Sequence, residues 1–274
     1  MMSEVAPAKI NLALHVRERM PDGYHRLETI FVFADQGDRL SVTPGDTLSL
    51  RIIGPFAAGL SAGHDNLVLR AAAMLREAAG VTTGAALVLE KNLPIASGIG
   101  GGSADAAAAL RLLSRFWMTD VALMPIAARL GADVPACLAA KSMRGEGRGE
   151  TLTPLPAALA GTPLLLINPG VAMPTGPVFS GWDGQDRGPL EGGDPLAAAL
   201  AGRNDLEAPA IALLPVVGRL IDWLQRRHGV VLARMSGSGA TCFALFDTPE
   251  SRDRAAAEAA AEWPGAWHLA TRLA

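Results

Sequence analysis

The run Leu93-Pro94-Ile95-Ala96-Ser97-Gly98-Ile99-Gly100-Gly101-Gly102-Ser103-Ala104-Asp105 constrains this chain more than any other stretch. It follows a strand-like segment, Ala86-Leu87-Val88-Leu89-Glu90, and leads into an Ala/Leu-rich segment of helical character from about Ala104 to Trp117. A glycine-rich turn that opens a helix exposes backbone N–H groups at the positive end of the helix dipole, and such groups bind phosphate oxygens. Glycines at 98, 100, 101 and 102 keep Cβ atoms out of the way of an approaching anion. Ser103 is expected to cap the helix and to offer its hydroxyl to a phosphate. A purely structural turn is the competing reading. Four glycines in five positions between a strand and a helix favour the phosphate reading.

Two other phosphate-binding patterns do not fit. A P-loop needs Gly-x-x-x-x-Gly-Lys followed by Ser or Thr, and Lys141-Ser142 lacks the glycines. A dinucleotide fingerprint started at Gly98 meets Ser103 where its third glycine belongs. Asp120 stands where a ribose-binding acid is expected, but Arg111 to Asp120 reads as the end of a helix and not as a second strand.

With 274 residues, half of them apolar, the chain can bury one large core or two modest ones. A net charge of −3 gives no broad basic face, so no nucleic-acid partner is expected. Cys137 and Cys242 lie far apart in apolar surroundings and read as buried free thiols; no metal-ligand spacing occurs. No apolar run reaches the ~20 residues that span a bilayer. The first residues lack the basic-then-apolar pattern of a secretory leader. A soluble cytoplasmic protein without a membrane partner is expected.

Periodicity predicts mixed strands and helices. Ile10, Leu12, Leu14 and Val16 alternate with Lys9, Asn11 and His15, which predicts a half-buried strand with Lys9 and Asn11 on one face. Met20-Pro21-Asp22-Gly23 reads as a turn. Strands are predicted at 27–33, 39–43, 48–53, 164–167, 230–235, 241–246 and 267–271, and helices at 66–79, 104–117, 121–130, 210–228 and 249–262. Gly145–Gly149 and Thr153–Pro163 suggest a domain boundary, and 169–195 reads as a long Gly/Pro-rich loop. Without strict alternation of strand and helix, the pattern points to two α+β domains.

Other short motifs have a bland and a sharp reading. Lys9 and Asn11 lie in Ala6-Pro7-Ala8-Lys9-Ile10-Asn11-Leu12, where a lysine is ordinarily a solvated charge. Asp22-Gly23-Tyr24-His25 holds the only tyrosine, ordinarily a packed ring beside a turn. Asn66, in His64-Asp65-Asn66-Leu67, suits a plain helix cap, and Lys91 a strand end. Asp133, in Gly131-Ala132-Asp133-Val134-Pro135, suits a turn cap. Met235-Ser236-Gly237-Ser238-Gly239-Ala240-Thr241 suits a hairpin loop, and Phe179 in Pro174-Thr175-Gly176-Pro177-Val178-Phe179 suits loop packing.

Taken in this order, the motifs resemble those of the GHMP kinases (galactokinase, homoserine kinase, mevalonate kinase and phosphomevalonate kinase). Pro94, Gly98, Ile99 and Gly100 fit that family's Pro-x-x-x-Gly-Leu-Gly-Ser-Ser-Ala loop. The Gly-Gly-Gly-Ser-Ala-Asp-Ala-Ala continuation is similar to the branch whose acceptor carries a cytidine diphosphate, in the non-mevalonate route to isoprenoid precursors. That branch has Ser-Ser after the glycines; Ser103-Ala104 here removes one hydroxyl ligand for phosphate.

The resemblance implies an α+β, two-domain fold. A domain like ribosomal protein S5 domain 2 would cover 1–152, and a ferredoxin-like domain 153–274, with the active site in the cleft between. It implies an ATP-dependent kinase with Mg²⁺ held through the ATP phosphates and no metal site of the protein's own. Lys9 and Asp133 would be the catalytic pair, Asp133 accepting the proton of the acceptor hydroxyl. Asn66, Lys91, Pro94, Gly98, Gly100, Gly101, Gly102 and Ser103 would bind ATP. Asn11, Tyr24, His25, Thr175, Phe179, Gly237 and Ser238 would bind the acceptor, with the cytosine between Tyr24 and Phe179. A monomer or weak homodimer is expected. A family member acting on a mevalonate-like or sugar alcohol has no base for Tyr24, His25 and Phe179 to hold. A non-catalytic nucleotide-binding protein needs the glycine loop but neither Lys9 nor Asp133.

Overall fold

Two long strands run through most of the sheet structure. β1 covers Met2–Arg19 and β2 covers His25–Gly45. The computed structural model describes residues 1–274. β1 pairs with β2 and is buried without interruption from Ala6 to Val16. The predicted half-buried strand is therefore covered on both faces, and the polar side chains Lys9, Asn11 and His15 are inside with their partners. β2 is one strand where the sequence predicts two. The Ala34–Asp38 stretch reads as a break, yet it stays extended because Gly37 lets the backbones close up: a Cβ there would lie 1.9 Å from the Ala6 carbonyl oxygen.

The chain folds into two compact units that interleave in sequence. The first holds Met1–Ala8, Gln36–Ile95 and Gly100–Ala140. In it β3 (Leu48–Ile53), α1 (Leu67–Ala78) and β4 (Gly84–Glu90) form a crossover, with β3 parallel to β4. Arg39–Gly45 of β2 runs antiparallel to β4, with Arg39 opposite Glu90. α2 (Gly101–Phe116) packs against α1, α3 (Leu123–Leu130) and α4 (Val134–Ala139). Its buried alanines at 104 and 106–109 let neighbouring helices approach closely. α4 is absent from the predicted elements, since six residues with Pro135 in the first turn are too short to show a period.

The second unit holds Lys9–Asp35, Ala96–Ile99 and Lys141–Ala274. β5 (Met143–Gly147) pairs with Leu27–Phe31 of β2 and forms a hairpin with β6 (Thr151–Pro154). The Gly145–Gly149 stretch is thus strand and hairpin turn. β7 (Pro163–Asn168), β8 (Val230–Met235), β9 (Cys242–Phe246) and β10 (Trp267–Arg272) form an antiparallel sheet in the order β10-β7-β9-β8. Helices lie between its first and second and between its third and fourth strands, the ferredoxin-like connectivity the resemblance implies. α5 (Thr175–Ser180) shortens the loop predicted at 169–195, and α6 spans Pro195–Ala201. The helix predicted at 210–228 is two, α7 (Glu207–Leu213) and α8 (Val216–Gln225). Pro215 lacks an N–H and drives Leu214 out of helical geometry, to φ −139°.

α8 and α9 (Pro249–Glu262) cover the sheet. Val217, Leu220 and Leu224 meet Leu165, Ile167, Ala244 and Phe246 in one apolar cluster, joined by Ala255 and Ala259. Leu220→Ala is expected to cost about 2–5 kcal/mol, read as a lower urea midpoint, because this fully buried site has no solvent with which to refill a cavity.

Candidate functional site

The glycine loop is held by main-chain partners. Gly98 sits at φ +77°, and a Cβ on it would lie 2.4 Å from the Ser236 carbonyl oxygen. The Ser236 hydroxyl donates to the Gly98 carbonyl at 3.0 Å, Thr241 N–H donates to the Ser97 carbonyl at 3.1 Å, and Lys9 N–H donates to the Ile99 carbonyl at 3.0 Å. Pro94 is buried. α2 then starts at Gly101, with Gly100 as its left-handed N-cap at φ 66°. Ser103, expected as the cap, lies inside the first turn, because the glycine adopts the cap geometry one turn earlier. The N–H groups of Gly101, Gly102 and Ser103 have no intrahelical acceptor, and Gly102 is exposed. Backbone N–H groups left without acceptors at a helix N-terminus are able to receive an anion.

Lys9 and Asn11 meet as their shared strand face predicts. Lys9 Nζ donates to Asn11 Oδ1 at 3.3 Å and lies 4.5 Å from the centre of the Phe31 ring. Asn11 Nδ2 donates to Thr29 Oγ1, and the Thr29 hydroxyl donates to the Ala13 carbonyl. Asn11 N–H donates to the Ser236 hydroxyl at 3.1 Å. With both side chains buried, each polar atom is held to one geometry.

The aromatic set is larger than the sequence predicts. His25 lies 5.1 Å from Phe179, the two rings tilted by 38°, and meets Trp182 edge-on at 5.7 Å. Burial, and then the Arg19 guanidinium, push the His25 pKa below its ordinary value, so the ring is neutral at pH 7. Tyr24 stays 56% exposed, with the Arg148 guanidinium 4.2 Å from its ring centre. Thr175 Oγ1 and Ser238 Oγ share a hydrogen bond of 3.2 Å. Gly237 O accepts from Asn204 Nδ2, which also reaches Met235 O. Trp182, Arg148 and Asn204 escape a sequence reading. The Asn204-Asp205 pair after Gly202 looks like ordinary loop composition.

Three other candidates have distinct surroundings. Asn66 is the N-cap of α1: its Oδ1 accepts from Val68 N–H and its Nδ2 donates to Ser61 O. Lys91 is no exposed strand end. Its ammonium is buried between Asp38 and Asp105, whose carboxylates outweigh the desolvation and hold its pKa above the ordinary value. Asp133 precedes α4, half-buried, and its side chain does not cap that helix.

Known proteins resemble this chain along most of its length. Residues 66–141 match the family described as GHMP kinases N terminal domain, and residues 192–265 match GHMP kinases C terminal. A 4-diphosphocytidyl-2-C-methyl-D-erythritol kinase from Rhizorhabdus wittichii is 56% identical over 99% of this chain and 94% of its own. The chain belongs to the GHMP kinase family. A second relative of the same description, from Novosphingobium aromaticivorans, is 52% identical over 99% of this chain and 93% of its own. A crystal structure of 4-(cytidine 5'-diphospho)-2C-methyl-D-erythritol kinase superposes with TM-score 0.80 at 37% identity, covering 99% of each chain. A homoserine kinase from Cytophaga hutchinsonii shares the fold at TM-score 0.70 and 17% identity, over 100% of this chain and 96% of its own.

As a GHMP kinase the protein is an ATP-dependent kinase. None of its helices is long and apolar enough to cross a membrane, and no group of three or more His, Cys, Asp or Glu side chains could hold a metal ion. Gly98→Ala should destabilise this GHMP kinase by about 2 kcal/mol or more, through both the positive φ and the clash with Ser236 O. Gly102→Ala should change stability by under about 0.5 kcal/mol, since a Cβ there meets only Leu67 Cδ1 at 3.8 Å. Chemical denaturation of the two variants checks the contrast.

Proposed function

We propose that this protein transfers the γ-phosphoryl group of ATP to the 2-hydroxyl of 4-diphosphocytidyl-2-C-methyl-D-erythritol, in the non-mevalonate route to isoprenoid precursors. The observation that carries the choice of acceptor is the aromatic set: an exposed Tyr24 ring, and Phe179 in tilted ring contact with a neutral His25. Flat rings with one polar edge suit a pyrimidine, and a mevalonate or sugar acceptor gives them nothing to hold. The relatives at 52% and 56% identity bear the same kinase description.

On this reading the N–H groups of Gly101, Gly102 and Ser103 receive the ATP phosphates, with Gly98, Gly100 and Pro94 shaping the turn. Asn66 and Lys91 lie toward the nucleotide. Tyr24 and Phe179 hold the cytosine and His25 its edge, while Asn11, Thr175, Gly237 and Ser238 bind the rest of the acceptor. Asp133 takes the proton of the 2-hydroxyl as that oxygen attacks the γ-phosphorus, and the bond to the β–γ bridging oxygen breaks to release ADP. Lys9, preset by Asn11, stabilises the charge on the transferred group. Mg²⁺ would ride on phosphate oxygens and water. The protein would work in the cytoplasm as a monomer or weak homodimer.

A panel of the cytidylyl acceptor, mevalonate, homoserine and galactose tests the substrate. Turnover confined to the first supports the reading; turnover of another acceptor in its place overturns it. Asp133→Asn should lower kcat at least ~100-fold while both KM values stay within about twofold. Near-normal kcat in that variant contradicts the assigned base.

A further inference from the structure

A buried ionic cluster lies beneath the first turn of α2, and its charges do not balance. Lys91 Nζ donates to Asp38 Oδ2 at 2.5 Å and to Asp105 Oδ2 at 2.7 Å, and all three side chains are at most 5% exposed. Asp38 is fully used, since its Oδ1 accepts from Asn92 N–H at 2.6 Å and Leu93 N–H at 2.8 Å. Asp105 is not: its buried Oδ1 has no hydrogen-bond partner. Two carboxylates around one ammonium leave a surplus negative charge where burial makes charge costly. Asp105, with one oxygen unpartnered, is the member that loses least by taking up a proton.

The cluster touches the turn assigned to the ATP phosphates. A Cβ at Gly101 would lie 3.1 Å from Lys91 Nζ and 3.8 Å from Asp38 Oδ2. Gly101 therefore makes room for the ammonium below, a reason for glycine that is independent of any anion above. Asp105 stands one helical turn further on. Its charged neighbours are Lys91 after β4 and Asp38 on β2. Among the other elements packed on α2, Arg70 and Glu77 of α1 and Arg129 of α3 are exposed, Arg76 of α1 is half-exposed, and α4 carries no charged residue. Arg111 and Arg115 of α2 itself pair with Glu4.

We propose that Asp105 is a positioning residue for nucleotide binding: protonated within the Asp38–Lys91–Asp105 cluster, it keeps the base of the first turn of α2 neutral and fixes Lys91 beneath Gly101, so that the turn receives a polyphosphate. The inference rests on the assignment of ATP phosphates to that turn. Burial raises the Asp105 carboxyl to about 7, against the pull of Lys91 and with the push of Asp38. Below that pH the cluster is neutral; above it the cluster carries a surplus negative charge that opposes the anion. ATP affinity should therefore fall as pH rises through 7.

Calorimetric titration with ATP alone, between pH 6 and 8.5, tests this. Wild-type Kd should rise roughly fivefold across the range beyond the change shown by Asp105→Asn, whose neutral amide retains the wild-type affinity of the acid limb. Asp105→Ala, which strips Lys91 of a partner, should weaken ATP about tenfold at every pH, while the Kd for CDP is unchanged. If Asp105→Ala does not fold, Gly101→Ala, which crowds the ammonium, should give the same selective loss. An Asp105→Asn variant that keeps the wild-type pH slope, or that binds as poorly as Asp105→Ala, overturns the proposal, as does Gly101→Ala with wild-type ATP affinity. Failure of the kinase reading would look different: wild-type protein would not bind ATP at all, or would bind it without turning over any alcohol.

Discussion

The hydroxyl of Ser236 is the contact on which the geometry of the glycine loop depends. Fully buried, it accepts the Asn11 N–H and donates to the Gly98 carbonyl. One small side chain thus registers the strand that carries Lys9, the stretch at 96–99 and the 236–239 loop against one another. The bond from Asn11 N–H is made away from water, where leaving a partner unmet costs about 1–3 kcal/mol. Gly98 has its positive φ because the backbone must pass within contact distance of Ser236 O, not because the loop is free to flex.

The ferredoxin-like sheet supplies the frame for that hydroxyl. Asn204 and Glu207 clamp the end of β8: the Asn204 amide reaches Met235 O and Gly237 O, and Glu207 accepts the Met235 N–H. Arg234, next along β8, donates to Leu12 O, Ala199 O and Gly202 O, and Asp205 accepts the Val16 N–H. β1 can be buried on both faces because its polar groups find such partners, where solvent would otherwise be needed.

Features that leave a local mark were legible in the sequence. A left-handed cap and a close backbone approach demand glycine, so the loop at 98–102 stands out. Alternation at 10–16 revealed a strand and the shared face of Lys9 and Asn11. It could not reveal that the second face is covered too, because the covering residues are far away in sequence. Pro215 was the available sign that 210–228 is two helices. The Lys91 cluster was illegible for another reason: its acids lie 53 and 14 residues away, and no local pattern pairs either of them with the lysine. His25 drew attention through Tyr24, while Trp182 lay in a stretch that composition alone reads as loop.

On the proposed function, the γ-phosphoryl of ATP ends on a hydroxyl of a cytidine-diphosphate-bearing alcohol. Phosphorus NMR of a reaction containing the protein, ATP, Mg²⁺ and 4-diphosphocytidyl-2-C-methyl-D-erythritol follows that group directly. One new phosphomonoester resonance should appear on the acceptor for each ADP formed, with the diphosphate bridge intact. ADP accompanied only by inorganic phosphate, or an unchanged spectrum, would contradict it and leave Tyr24, His25 and Phe179 as packing residues.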